Sequence, residues 1–281
     1  MNLQEKSSVK IAILDLNNGK PNQGMRCIRE ILNQYSESAE ADISWDEFDV
    51  RQKQAVPDLT YDIFISSGGP GSPYEGVGST WEEKYFEWLR QVDEWNKNPA
   101  NSIKKYIFFI CHSFQLACRY YNAGNVCARR STAFGVFPVH LFSSGLNEPV
   151  FEGMKDPFYA VDSRDFQVIE PNYQLLHDMG ACILAIEKER PHVNLERAVM
   201  AVRFNKYMIG TQFHPEADAK GMSMYLKEED KRQTVIENHG LEKWRSMIEQ
   251  LGDPDKIMLT YSKILPNFLD IAMSNLVPAT A

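Results

Sequence analysis

Four short apolar runs and two stretches of helical spacing alternate over the first 110 residues, and this alternation limits the folds open to the chain. The runs cover residues 9–14, 43–50, 61–65 and 106–110. Between them, residues 24–35 space Met25, Ile28, Ile31 and Leu32 along one helical face, and residues 81–96 do the same with Trp81, Tyr85, Trp88, Leu89 and Val92. Strands that read as continuous apolar runs are buried on both faces. The pattern predicts an α/β fold with a mostly parallel sheet flanked by helices. Such sheets place their sites at the carboxyl ends of the strands.

The second half is richer in β signals. Residues 136–142, 158–161, 182–187, 198–204 and 207–212 read as strands, with a tight hairpin turn expected at Asn205-Lys206. Beyond Ala217 the character changes again. Residues 234–250 and 257–274 are spaced as helices, with breaks expected at Gly252-Asp-Pro254 and at Pro266. The expected division is a domain over residues 1–218 and a C-terminal helical extension over 219–281.

Composition narrows the function classes. A net charge of −8 argues against a nucleic-acid surface. No apolar run approaches the ~18 residues of a membrane span. The polar start, residues 1–10, is not expected to act as a secretory signal. Five cysteines without a C-x-x-C pair suit reduced thiols in the cytoplasm. The six histidines do not pair with cysteines at metal-ligand spacing, so neither a metal nor another cofactor is expected.

Three blocks carry chemistry. Gly210-Thr-Gln-Phe-His-Pro-Glu-Ala217 follows an apolar run and sets His214 and Glu216 two residues apart. In extended chain both point to one side, so the carboxylate can orient the imidazole. A base so oriented calls for a nucleophile. Cys111 supplies one, in Phe109-Ile-Cys-His-Ser-Phe-Gln115, where a strand turns into a helix. A helix N-terminus and a neighbouring imidazolium both favour thiolate. The third block, Ile65-Ser-Ser-Gly-Gly-Pro-Gly-Ser-Pro73, is a glycine-rich loop after a strand. Taken singly, each has a plainer reading: a buried thiol at a strand end, or an ordinary turn. Cys118 and Cys127 read as packing thiols. His140, His177, His192 and His239 have no partner signature.

In this order, the blocks resemble the class I glutamine amidotransferases, and the GMP synthase type of glutaminase domain in particular, here as a stand-alone chain. The resemblance spans roughly residues 9–218 and implies a flavodoxin-like fold with a Cys111, His214 and Glu216 triad. It implies an oxyanion hole from the backbone N–H groups of Gly69 and His112. It also implies glutamine contacts at Gly71, Gln115, Asp165 and Phe166. Four positions depart from the family pattern, one of them Asp165, which stands where the family has a glycine. Phe109 and Ser113 stand where glycines flank the nucleophile, and Arg164 replaces a histidine in Asp162-Ser-Arg-Asp-Phe-Gln-Val168. The expected reaction is hydrolysis of the glutamine side-chain amide through a γ-glutamyl thioester, with release of ammonia. The alternatives are a γ-glutamyl peptidase or hydrolase and a catalytically silent binding or regulatory protein. The chain has no Gly-x-x-x-x-Gly-Lys-Ser/Thr loop, so a synthetase partner would be a separate chain. The extension leaves the fold just after Glu216. It is expected to pack on the domain and to narrow access to the site.

Overall fold

The computed structural model describes residues 8–253 and 256–277. Strand β1 (Ser8–Asp15), helix α1 (Gln23–Ser38), β2 (Asp42–Asp49), β3 (Ile63–Ser66), α2 (Thr80–Lys97), β4 (Tyr106–Ile110) and α3 (His112–Tyr120) make the first half. There follow β5 (Asn125–Leu141), the short α4 (Ser143–Leu146), a 3-10 turn (Pro149–Phe151), β6 (Phe158–Ile169), α5 (Tyr173–Asp178), β7 (Cys182–Glu187), β8 (Val199–Asn205) and β9 (Met208–Thr211). Helices α6 (Ala219–Lys227), α7 (Glu229–His239), α8 (Leu241–Gln250) and α9 (Ile257–Leu276) close the chain.

All described strands join one sheet in the order β2-β1-β3-β4-β9-β8-β7-β5-β6. From β2 to β9 the pairing is parallel, the flavodoxin-like arrangement. From β9 to β6 it is antiparallel, so the sheet as a whole is mixed. The cause is connection length. The hairpin joining β8 to β9 reverses the chain and cannot host the crossover that parallel strands require. Its turn is Lys206-Tyr207, one residue beyond the expected place, and the Asn205 side chain accepts from Tyr207 N at 2.9 Å.

Alternation along the central strands feeds two cores. Ile11 and Ile13 of β1 and Phe108 and Ile110 of β4 face the layer of α1. Ala12, Leu14, Ile107 and Phe109 face the layer of α2 and α3. Asn22 caps α1, its side chain accepting from Gly24 N at 2.6 Å. Trp88 is buried in the second core, while Trp81, expected on the same stripe, is only partly buried.

The C-terminal helices differ from expectation in two places. Gly240, at φ +85°, separates α7 from α8, where a single helix over 234–250 was expected. A positive φ ends a right-handed helix. Conversely, α9 runs through Pro266 without a break. Its buried Ile264, Leu265, Phe268, Leu269 and Ala272 join the α1-side core, with Phe268 edge-on to Phe108 at 5.2 Å, and this burial offsets the lost hydrogen bond. Pro254, the other expected break, lies outside the described residues. A third cluster gathers Met222, Leu226, Val235 and Met247 against Val136 and Val161 of β5 and β6. No helix of the described residues is long and apolar enough to cross a membrane.

Candidate active site

Cys111 lies between β4 and α3 at φ +48°, ψ −97°, a conformation costly for any residue with a Cβ. The strain is held from several directions. Cys111 N donates to Thr211 O at 2.8 Å, tying the turn to β9. The Ser113 hydroxyl accepts from Ile110 N at 2.8 Å and donates to Ser66 O at 2.7 Å, tying it to β3. Ser113 thus fastens the elbow. Phe109 is accommodated because its partner across the β4–β9 ladder is Gly210. A Cβ at 210 would stand 3.0 Å from Phe109 Cβ and 2.8 Å from the Phe114 ring. Both departures beside the nucleophile are therefore compensated locally.

His214 and Glu216 follow β9. His214 N donates to Val161 O at 2.8 Å, anchoring the segment to β6. His214 Nδ1 lies 2.8 Å from Glu216 Oε1. His214 and Cys111 flank the same point beside Gly68, close enough for the thiol to act on the imidazole's charge. Burial opposes charge on the imidazole, but Glu216 and Cys111 together outweigh it and hold the His214 pKa well above the ordinary range. Gly68 makes room for this ring. A Cβ there would be 2.9 Å from His214 Cε1 and 3.7 Å from Cys111 Cβ. Glu216 is buried against the first turn of α1, where a Cβ on Gly24 would come within 2.8 Å of Oε1. A helix N-terminus favours a carboxylate. Cys111, His214 and Glu216 thus lie together at the carboxyl ends of β4 and β9.

The glycine-rich loop runs beside β1. A Cβ on Gly69 would stand 2.5 Å from Leu16 O, so only glycine permits this approach. Gly71 has φ +87°, and a side chain there would meet the Glu75 carboxylate. The His112 side chain is buried with Nε2 2.6 Å from Arg51 Nη2. Burial, then Arg51 and Arg119, lower its pKa to about 3, so the imidazole is neutral. Arg51 carried no signal in the sequence, because it sits in the polar run Arg51-Gln-Lys-Gln54.

Opposite the loop, Gln115 Nε2 donates to Gln212 Oε1 at 3.1 Å and to Phe166 O at 3.4 Å. Gln212 Nε2 lies 3.7 Å from Cys111 Sγ, as does Ser163 O. Gln212 was not singled out in the sequence. Asp165 is exposed and accepts from Thr132 Oγ1 at 2.5 Å. Arg164 points inward. Its side chain is 1% exposed and meets Asp162 at 2.8 Å and Glu187 at 3.3 Å. Arg129 and Arg190 reach the same Glu187 at 3.0 and 2.9 Å. Arg164 is thus part of a buried ionic cluster. Periodicity could not reveal it, since charges within strands read as a solvent face.

All five cysteines are free. Cys118 is buried, and burial raises its thiol pKa. His140 lies on β5, His177 on α5, and His192 between β7 and β8; the side chain of His239 lies outside the described residues. Among the described residues, no three His, Cys, Asp or Glu could hold a metal ion.

The family model of glutamine amidotransferase class-I matches residues 25–231. Among curated proteins, none matches the chain by sequence. Among solved structures, a glutamine amidotransferase from Thermotoga maritima superposes with TM-score 0.68 at 16% identity, covering 95% of this chain and 98% of that one. A Thermoplasma acidophilum protein named for a GMP synthase subunit gives TM-score 0.54 at 16% identity, covering 95% and 94%. The glutaminase domain of Trypanosoma brucei CTPS with bound acivicin gives 0.56 at 14% identity, covering 94% and 93%. At these identities, the likeness is one of fold.

Proposed function

From the premise that the chain belongs to the glutamine amidotransferase class-I family, we propose that it hydrolyses the side-chain amide of glutamine at Cys111. The observation that carries this reading is the strained elbow of Cys111 beside His214, whose Nδ1 is 2.8 Å from Glu216. The Cys111 thiolate attacks the amide carbon, and the carbonyl oxygen takes the negative charge. The Gly69 and His112 N–H groups receive that oxyanion; a single such donor is worth about 10²–10³ in rate. As the C–N bond breaks, the His214 imidazolium gives its proton to the nitrogen, and ammonia leaves. Neutral His214 then takes a proton from water, whose oxygen attacks the γ-glutamyl thioester. Glutamate departs and the thiol is restored. Glu216 keeps the ring oriented and supports its charge. Each step uses this chain's own residues and water.

The substrate side is assigned to Gly71, Gln115 and the backbone of Asp165 and Phe166. The hydrogen bond from Gln115 to Phe166 O supports this grouping. A separate synthetase chain is the partner that would use the ammonia, in keeping with the Thermoplasma protein's name. The free cysteines fit a cytoplasmic chain. We assign catalysis to residues 1–218. Residues 219–281 form an extension whose α9 completes the core and whose α6–α8 narrow the approach along β5 and β6.

Ammonia release from glutamine by the wild type and by Cys111→Ala tests the reaction. Release that survives in Cys111→Ala would sink the mechanism. Glutamate release from γ-glutamyl peptides alone would make the chain a γ-glutamyl hydrolase, and activity on neither would make it a silent binding or regulatory protein.

A further inference from the structure

Arg51 lies in the turn after β2, with its side chain only 3% exposed. Nη1 donates to Pro70 O at 2.9 Å and to Glu75 Oε1 at 3.2 Å. Nη2 stands 2.6 Å from His112 Nε2. The guanidinium carbon is 5.1 Å from the centroid of the Trp81 ring, which covers it. Pro70 directly follows Gly69, and His112 directly follows Cys111. One rigid fork therefore spans the loop and the helix that carry the two oxyanion donors.

We propose that Arg51 is a positioning residue of the oxyanion hole, holding the Gly69 and His112 backbone N–H groups at a fixed separation. The inference rests on the amide-hydrolysis reading and adds a residue to it. The two donors belong to different elements, one in the loop after β3 and one in the first turn of α3. Backbone strain fixes the elbow, and the approach to Leu16 limits the loop. The Ser113 hydroxyl joins the elbow to Ser66 O where the loop begins, and Arg51 supplies a second tie four residues further along the loop, at Pro70.

Arginine suits this task. Its planar fork binds two acceptors in one geometry, which an ammonium cannot do. The acceptor on α3 must be a neutral imidazole, and burial with two nearby guanidiniums keeps His112 in that state. The Nδ1 nitrogen then carries the ring proton. A buried guanidinium is a poor choice for stability alone, because apolar residues fill such space at no desolvation cost. Its Nε has no hydrogen-bond partner, a further cost that the fold tolerates here. A cation kept at this expense, touching both halves of one hole, is explained by geometry.

The test separates chemistry that needs the hole from chemistry that does not. Alkylation of Cys111 by iodoacetamide is a direct displacement and forms no oxyanion, whereas amide hydrolysis does. In Arg51→Met, kcat for glutamine or γ-glutamyl p-nitroanilide is expected to fall about tenfold or more, because a displaced donor loses much of its worth. KM is expected to stay within about threefold, and alkylation within about twofold, of wild type. Arg51→Lys keeps the charge but loses the fork, and is expected to show the same split at smaller size. It carries the test if Arg51→Met does not fold. Unchanged kcat would overturn the proposal, as would alkylation that falls in step with kcat, which is the signature of a general structural role. A wild-type chain that hydrolyses neither substrate defeats the underlying reaction instead, independently of either Arg51 variant.

Discussion

On one side of Cys111 the wall is made of backbone brought unusually close: Gly68 beside the His214 ring, Gly69 against Leu16 O, Gly71 beside Glu75. On the other side the wall is made of buried ions. There Arg164, Asp162, Glu187, Arg129 and Arg190 lie beneath the β6 segment whose carbonyls meet Cys111 and Gln115. The first wall belongs to the parallel half of the sheet, the second to the antiparallel half. A backbone wall offers N–H groups at short range, as an oxyanion needs. An ionic wall offers rigidity without donors, since its charges are used on one another. The two halves should therefore fail differently, the first in rate and the second in stability.

The largest effect is expected where the walls meet. His214→Ala should remove turnover by about 10³-fold or more, while Glu216→Gln should lose less, because the imidazole remains. Steady-state ammonia release from folded variants checks this, and equal losses would mean that Glu216 does more than orient.

On the ionic wall, Arg164→Met should destabilise by about 3–5 kcal/mol, because Asp162 and Glu187 lose a partner while buried. Denaturant unfolding measures it. A variant as stable as wild type would show that Arg129 and Arg190 suffice for Glu187, and the contrast between the walls would weaken.

On the backbone wall, Gly69→Ala should cost about 1–3 kcal/mol in stability, because the main chain must move away from Leu16 O. The loss in kcat should be larger than that cost implies, since the moving group carries the proposed oxyanion donor. Kinetics and unfolding on the same preparation would reveal a disproportion or its absence.

The last effect is confined to acid pH and vanishes at neutrality. His112 has its pKa lowered to about 3 in the fold. Between the ordinary histidine pKa of about 6.5 and that value, the unfolded chain binds a proton that the folded chain does not. Stability should accordingly decline as the pH falls from about 6.5 to about 3, and be fully retained above 6.5. His112→Gln should flatten this decline in urea unfolding at stepped pH. An unchanged slope would assign the acid sensitivity to other groups.

Much of this site was legible as sequence. Cys111, His214 and Glu216 each follow a strand, and a sheet gathers its strand ends at one edge, so their meeting needed only the strand order. The central strands were legible because they are buried on both faces and read as apolar runs. The long β5 and β6 were only partly visible, since residues such as Arg129, Asp162 and Arg164 interrupt their apolar pattern. The turn at Gly240 and the passage of α9 through Pro266 went against local expectation.

By itself, then, the sequence determined the α/β alternation, the three chemical blocks and the identity of the groups able to react. Those are local properties, written in period and residue type. Tertiary structure alone decided that Phe109 fits because it faces Gly210, that Arg164 turns inward to Glu187, and that Arg51 bridges Pro70 and His112. Each of these joins residues distant in the chain, and whether a buried charge or bulky ring is tolerated depends on what packing places opposite it.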